Sequence, residues 1–183
     1  MNSFFDCLYK LSNIKRFPTH RVNQIQSVAA HTFNVAMIAW YIADVDKIDC
    51  DKALLFPKAL MHDFVEGKTG DIAAPTRERN AEFYAQVKKL ETEVLDELFD
   101  GLPVDYRPYA LECKIGTEGE LIKLADLIER LVYLSEERRS GNTSIDDVYG
   151  GTLKRIKTKE MKALLKKYPT ANELLLHYLS AIK

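Results

Sequence analysis

Four residues of the kinds that hold metal ions stand out in this chain, because each lies where apolar packing is expected. His62 and Asp63 are adjacent within residues 54–71, LLFPKALMHDFVEGKTGD. Ala59, Leu60, Met61, Phe64 and Val65 flank the pair and argue for a buried helix. A charge buried without a partner is costly, so an aspartate there needs a cation or a set of donors. Glu66 follows His62 by four residues, one turn on along the same helical face, and Asp71 comes just after Gly70. His31 opens the apolar stretch VAAHTFNVAMIAWYIADV, and Asp126 sits between Ala125 and Leu127 in ELIKLADLIERLVYLSEERR. Two imidazoles and two carboxylates from three helices can converge on one divalent cation. Nitrogen and oxygen donors without thiolate suit Mn, Fe, Co, Ni, Zn or Mg. Such an ion polarises a phosphoryl oxygen and lowers the pKa of water, with Glu66 and Asp71 close enough for proton transfer. Each residue alone has a plainer reading. Asp63 could belong to a structural ion pair, and His31 could be a core histidine with one satisfied hydrogen bond. Asp126 could pair with Arg130, an i,i+4 contact worth a few tenths of a kcal/mol when exposed, roughly 0.2–0.5. Their conjunction favours metal-assisted hydrolysis.

The elements that must position these residues read as helices throughout. Apolar spacing predicts a short amphipathic helix over residues 3–14, broken by Lys15-Arg16-Phe17-Pro18. Ser27 is an N-cap candidate for the central helix that carries His31. Asp49–Asp51 forms a turn before the His-Asp helix, where Pro57 is tolerated if it sits at the first helical position. The loop DIAAPTRERN follows, with Arg77 and Arg79 near the acidic cluster and fit to hold phosphate through a bidentate fork. Residues 81–99 form a long amphipathic helix, 106–115 a shorter one, and 116–119 break the chain. Helices over 120–139 and 145–156 follow, the second capped by Thr143 or Ser144, and two short helices flank Pro169. His177 reads as structural. No stretch reads as a strand, a repeat or a linker, so the expectation is one all-α domain over residues 1–183.

Bulk properties narrow the partners. The 183 residues are 46% hydrophobic and 29% charged, a globular composition. A net charge of −1 gives no electrostatic case for nucleic acid as the main partner. No apolar run is expected to span a bilayer, and the first residues, MNSFFDCLYKLSNIKR, do not have the order of a signal peptide. Cys7, Cys50 and Cys113 are odd in number and form no CxxC pair, which points to a reduced, cytoplasmic setting.

The pattern His31…His62-Asp63…Asp126 resembles the HD-domain superfamily of metal-dependent phosphohydrolases. HDFVEGKTGD, with SVAAHT upstream and KLADLIE downstream, is closer still to the 5′-deoxynucleotidase (YfbR-like) branch. The resemblance runs from KRFP to the SGN turn. It implies a single-domain HD helical bundle and metal ligands His31, His62, Asp63 and Asp126. The metal would be Co²⁺, Mn²⁺, Zn²⁺, Fe²⁺ or Mg²⁺. Glu66 and Asp71 match the branch's catalytic carboxylates. Arg16 matches a phosphate-binding arginine, and Phe17 stands where the branch usually has tryptophan, beside the sugar. Arg77 and Lys68 would assist phosphate binding. Ala30 replaces an acidic residue of the branch. The implied reaction is cleavage of a deoxynucleoside monophosphate to nucleoside and phosphate. Closely similar phage proteins release triphosphate from dATP, and a non-catalytic nucleotide-binding module is the remaining alternative. The partners implied are a small deoxynucleotide and further copies of the chain, as a dimer or hexamer, with neither nucleic acid nor membrane.

Overall fold

The computed structural model describes residues 3–73, 76 and 80–180. The helices are α1 (Ser3–Lys10), α2 (Val28–Val45), α3 (Lys52–Met61), α4 (Glu66–Thr69), α5 (Ala81–Phe99), α6 (Arg107–Leu111), α7 (Gly116–Arg139), α8 (Asp146–Ile156), α9 (Lys159–Lys167) and α10 (Pro169–Ser180). Among the described residues there is no strand, only an isolated antiparallel bridge between Lys15 and Ser27. The all-α expectation is borne out.

α2, α3 and α7 pack against one another at the centre, and α8, α9 and α10 cover the far side of α7. α2 can lie this close because small residues face its neighbours. Val28, Val35, Ala36, Ala39, Ile42 and Ala43 are all buried. Ser27 caps it as expected, its hydroxyl accepting from the Ala30 N–H at 3.2 Å. With 18 residues and a mean hydropathy of 1.2, α2 does meet the length and composition of a membrane-crossing helix, contrary to the expectation that no segment would. Its buried face explains that composition: it is a helix of the protein core packed on α3 and α7. A second apolar cluster joins α1 to α5 and to the turn after α3, with Phe4 stacked on Phe64 at 5.1 Å.

Several helix boundaries differ from the sequence reading. α3 ends at Met61, and residues 62–65 continue as tight turns. There the N–H groups of Phe64, Glu66, Gly67 and Lys68 each bond the carbonyl three residues back. Pro57 is the sixth residue of α3, not the first, because Asp51 caps the helix further upstream by accepting from Ala53 and Leu54 N–H groups. α7 starts at Gly116, where a break was expected, because Gly116 turns the chain at φ 76° and Gly119 allows a close contact. A Cβ at Gly119 would lie 2.2 Å from the Lys114 carbonyl carbon. The remaining helix-end differences, at 3–14 and 106–115, are shortenings to Ser3–Lys10 and Arg107–Leu111.

Candidate active site

His31, in the first turns of α2, points into the bundle and is fully buried. Its Nδ1 lies 2.6 Å from a carboxylate oxygen of Glu129 on α7. Its Nε2 is 3.6 Å from Asp63 Oδ2 and 3.5 Å from Asp126 Oδ1. His62 closes α3, and its Nδ1 sits 2.6 Å from the Ala59 carbonyl oxygen. A carbonyl can only accept, so Nδ1 carries the proton and the Nε2 lone pair faces Asp63 Oδ2 at 3.2 Å. The Nε2 atoms of both histidines are buried without a hydrogen-bond partner among the described residues. Apolar interiors do not leave two bare nitrogens facing a carboxylate without cause. Donor atoms of His31, His62 and Asp63 lie within 4.8 Å of one another. Metal–ligand bonds of about 2.0–2.2 Å separate neighbouring donors by roughly 3–4 Å, so this trio fits a divalent cation with little movement. Asp126 faces the same point through Oδ1 while also pairing with Arg130 Nη2 at 3.3 Å. The Arg130 pair of its plainer reading is present, and the same oxygen faces His31.

The electrostatics match this geometry. Burial alone would raise the carboxyl of Asp63, but His62 and His31 hold it well below the usual range. Burial works the same way on Asp126, and Arg130, His31 and Arg16 outweigh it, so this carboxyl is also depressed. Burial and Arg16 pull the His31 imidazole down, yet the neighbouring Asp63 and Glu129 carboxylates raise it above its ordinary value. Carboxylates held ionised beside buried imidazoles are the donor set a cation selects.

A cavity of about 220 Å³ opens over this cluster. Arg16, Phe17, Asp63, Glu66, Asp71 and Asp126 all line it, so the structure brings these sequence-derived candidates together. Arg16 is buried, with Nη1 3.6 Å from Asp63 Oδ2 and its guanidinium 5.3 Å from the Phe17 ring centre. Phe17 adopts the left-handed region at φ 54°, which is uncommon for a bulky residue. Its N–H donates to Asp71 Oδ2 at 3.3 Å, and its ring stacks on Tyr133 at 5.3 Å. Asp71 thus holds the turn that places Phe17. Lys68 is exposed on α4 and is not among the residues lining the cavity. Arg77 lies outside the described residues.

Sequence reasoning missed His20 and the cations Lys88, Lys114 and Arg155, which line the same cavity from four different segments. Nothing in their local spacing marks them, since each sits on an ordinary polar face. Arg130 was read only as a partner for Asp126, yet it also lines the cavity. Glu129 was missed because it reads as one more charge in an amphipathic helix.

A buried His–His–Asp cluster on an all-α bundle defines the class, and comparison with known proteins agrees. The fold matches an HD-domain phosphohydrolase of Listeria innocua with a TM-score of 0.81 and 26% identity, covering 98% of this chain and 90% of that one. It also matches the cyanophage S-2L HD phosphohydrolase, described as bound to dA and one catalytic Zn²⁺ ion. That match has a TM-score of 0.63 and 19% identity and covers 97% and 95% of the two chains, a likeness of fold. The chain is an HD-domain phosphohydrolase. More narrowly, it belongs to the family described as 5′-deoxynucleotidase YfbR-like, whose model matches residues 3–168. A 5′-deoxynucleotidase of Vibrio vulnificus is 28% identical over 194 residues, 97% of each chain. One of Photorhabdus laumondii is 29% identical over 153 residues, 78% of this chain and 77% of that protein.

Proposed function

We propose that the protein is a metal-dependent 5′-deoxynucleotidase that cleaves a deoxynucleoside 5′-monophosphate to deoxynucleoside and phosphate. The observation that carries this reading is the pair of bare, buried Nε2 atoms of His31 and His62 facing Asp63 under a cavity lined by arginines. His31, His62, Asp63 and Asp126 would hold the cation, which we take to be Co²⁺, Mn²⁺, Zn²⁺ or Fe²⁺, with Mg²⁺ the hardest option. When bound, such an ion polarises a phosphoryl oxygen and lowers the pKa of water.

The chain's own residues supply the rest. Arg16 offers a guanidinium fork to the phosphate from a buried, fixed position. Arg130, which also lines the cavity, can add a second. Asp71 and Glu66 flank the cluster and line the cavity, so either can orient or deprotonate the attacking water. The other then supports proton delivery to O5′ as the P–O5′ bond breaks. The Phe17 ring, braced by Tyr133, forms the wall for the sugar. Phe17→Ala should reduce discrimination between dAMP and AMP by about tenfold, the size expected for one apolar contact. Unchanged discrimination would remove Phe17 from the sugar pocket.

One observation favours a second substrate, a deoxynucleoside triphosphate releasing triphosphate. Among the described residues the cavity is lined by Arg16, Lys88, Lys114, Arg130 and Arg155 against Asp63, Glu66, Asp71 and Asp126, five cations to four carboxylates. A bound dication raises that surplus further, which suits a longer anionic tail. Both substrates are attacked at the same phosphorus. Product analysis separates them: dAMP, dATP, AMP and dGTP are offered singly to Co²⁺-loaded protein. Phosphate from dAMP with dATP inert supports the monophosphatase, and triphosphate from dATP supports the second reading. We place the enzyme in a reducing cytoplasm, consistent with its three free cysteines, and acting as a homo-oligomer.

A further inference from the structure

The hydrogen bond behind His31 is not a generic one. Glu129 is almost wholly buried, and both of its oxygens are engaged. One lies 2.6 Å from His31 Nδ1. The other accepts from the Gln26 amide at 2.5 Å and the Asn34 amide at 3.3 Å. Those amides come from the chain just before α2 and from α2 itself, so three points hold one carboxylate. A carboxylate can only accept, so it fixes the proton of a neutral His31 on Nδ1 and leaves the Nε2 lone pair aimed at the cluster. His62 is fixed in the same tautomer by the neutral carbonyl of Ala59. The two histidines therefore share an orientation, but only one is backed by a full negative charge.

We infer that Glu129 is the positioning residue of the metal centre. It holds His31 in the ligating tautomer, makes its ring the stronger donor of the two, and is itself locked by Gln26 and Asn34. The inference rests on the reading of His31 as a metal ligand. Partners of this kind behind a ligating histidine typically alter metal affinity by about 10- to 100-fold.

The geometry supplies a variant that separates charge from structure. The Gln26 Oε1 is buried without a hydrogen-bond partner among the described residues. In Glu129→Gln the Gln26 amide can turn over and accept from the new amide group. The glutamine oxygen then still accepts from His31 Nδ1, so the tautomer survives, and what is lost is the charge and the long Asn34 bond at 3.3 Å. Glu129→Leu removes both. The experiment strips the full chain with chelator and titrates it with Co²⁺ in competition with a chromogenic chelator. The melting temperature of each metal-free chain is recorded alongside. Co²⁺ affinity should fall by about tenfold or more in Glu129→Gln and by about a hundredfold in Glu129→Leu. Metal-free melting of Glu129→Gln should stay near that of the parent. Asn34→Ala, which loosens the carboxylate from an exposed position, should show a smaller loss and gives the answer if neither Glu129 variant folds. Unchanged Co²⁺ affinity in Glu129→Gln overturns the inference, as does unchanged affinity in Asn34→Ala where that variant must stand in. Losses of affinity tracked by equal losses of metal-free stability also overturn it, since that is general destabilisation. A parent chain that takes up no Co²⁺ instead overturns the metal reading of His31 itself.

Discussion

The two histidines of the site reach the same point from supports of different stiffness. His31 sits within the 18 residues of an unbroken helix, and its backing carboxylate comes from the middle of the 24-residue α7. His62 sits where α3 ends and the chain runs through tight turns into the four residues of α4. The first corner is held by the packed centre of the bundle. The second is held from behind by α1, where the Cys7 thiol donates to the Phe64 carbonyl oxygen at 3.3 Å. Cys7 is wholly buried, and burial pushes its thiol up to about 11, so it acts as packing rather than as a nucleophile. The contrast explains why the adjacent Asp63 and Glu66 lie on the turn side. The i→i+3 bonds of this turn eclipse residues three apart, which puts Asp63 and Glu66 on one side of it, whereas a continuous α-helix would offset them by about 60°.

The largest effects should come from breaking the shared centre. His62→Ala or Asp63→Ala is expected to abolish both metal uptake and phosphate release, measured on stripped and reloaded protein. Turnover retained in either variant would contradict the assignment of the cluster. Glu66→Ala tests the turn side alone. It should keep stoichiometric metal and lose about 10²- to 10⁴-fold in rate, the range for a general acid–base group. Loss of metal instead would make Glu66 a ligand.

Gly67→Ala sharpens the comparison of supports. A Cβ there would meet Cys7 Sγ at 2.5 Å and the Cys7 carbonyl oxygen at 2.6 Å. Forcing the two apart should cost about 1–3 kcal/mol in thermal melts. Adding Cys7→Ala should recover only part of it, because the backbone oxygen remains. Full recovery would mean that the thiol alone sets the α1 contact.

The smallest effect concerns the helix side. Glu137, also on α7, accepts from the Asn23 and Gln24 N–H groups and from the Asn142 amide. Burial would raise its carboxyl, but these donors hold it below the ordinary range. A depressed carboxyl contributes stability above its unfolded pKa of about 4.3, lost as pH falls through the folded value. Glu137→Gln should therefore cost about 1–2 kcal/mol at pH 7 and progressively less as acid melts descend below pH 4. A cost independent of pH would show that charge plays no part in that clamp.

Much of the site was legible before any coordinates. Histidine and aspartate are conspicuous in apolar surroundings because burying them needs a reason, so His31, His62, Asp63 and Asp126 could be singled out from local context. The start of α2 was legible because the short polar side chain of Ser27 caps it, whereas the cap expected at Thr143 or Ser144 does not form: α8 follows Ile145 with no side-chain cap. The break after Met61 was not legible, since its residues are all compatible with helix and only the packing of α1 under Gly67 selects the tight turns. Nor were Lys88, Lys114 and Arg155, which sit on polar faces like any others until the fold turns those faces toward one cavity.

The amino-acid sequence by itself determined the helical class, the donor types at the site and the spacing of His62, Asp63, Glu66 and Asp71, because these depend on side-chain chemistry and local periodicity. Tertiary structure alone decided which charge backs which histidine, and which cations line the cavity. Glu129 lies 98 residues from His31 along the chain yet 2.6 Å from it in space. No local rule connects them: the contact exists only because α2 and α7 bury their apolar faces against each other.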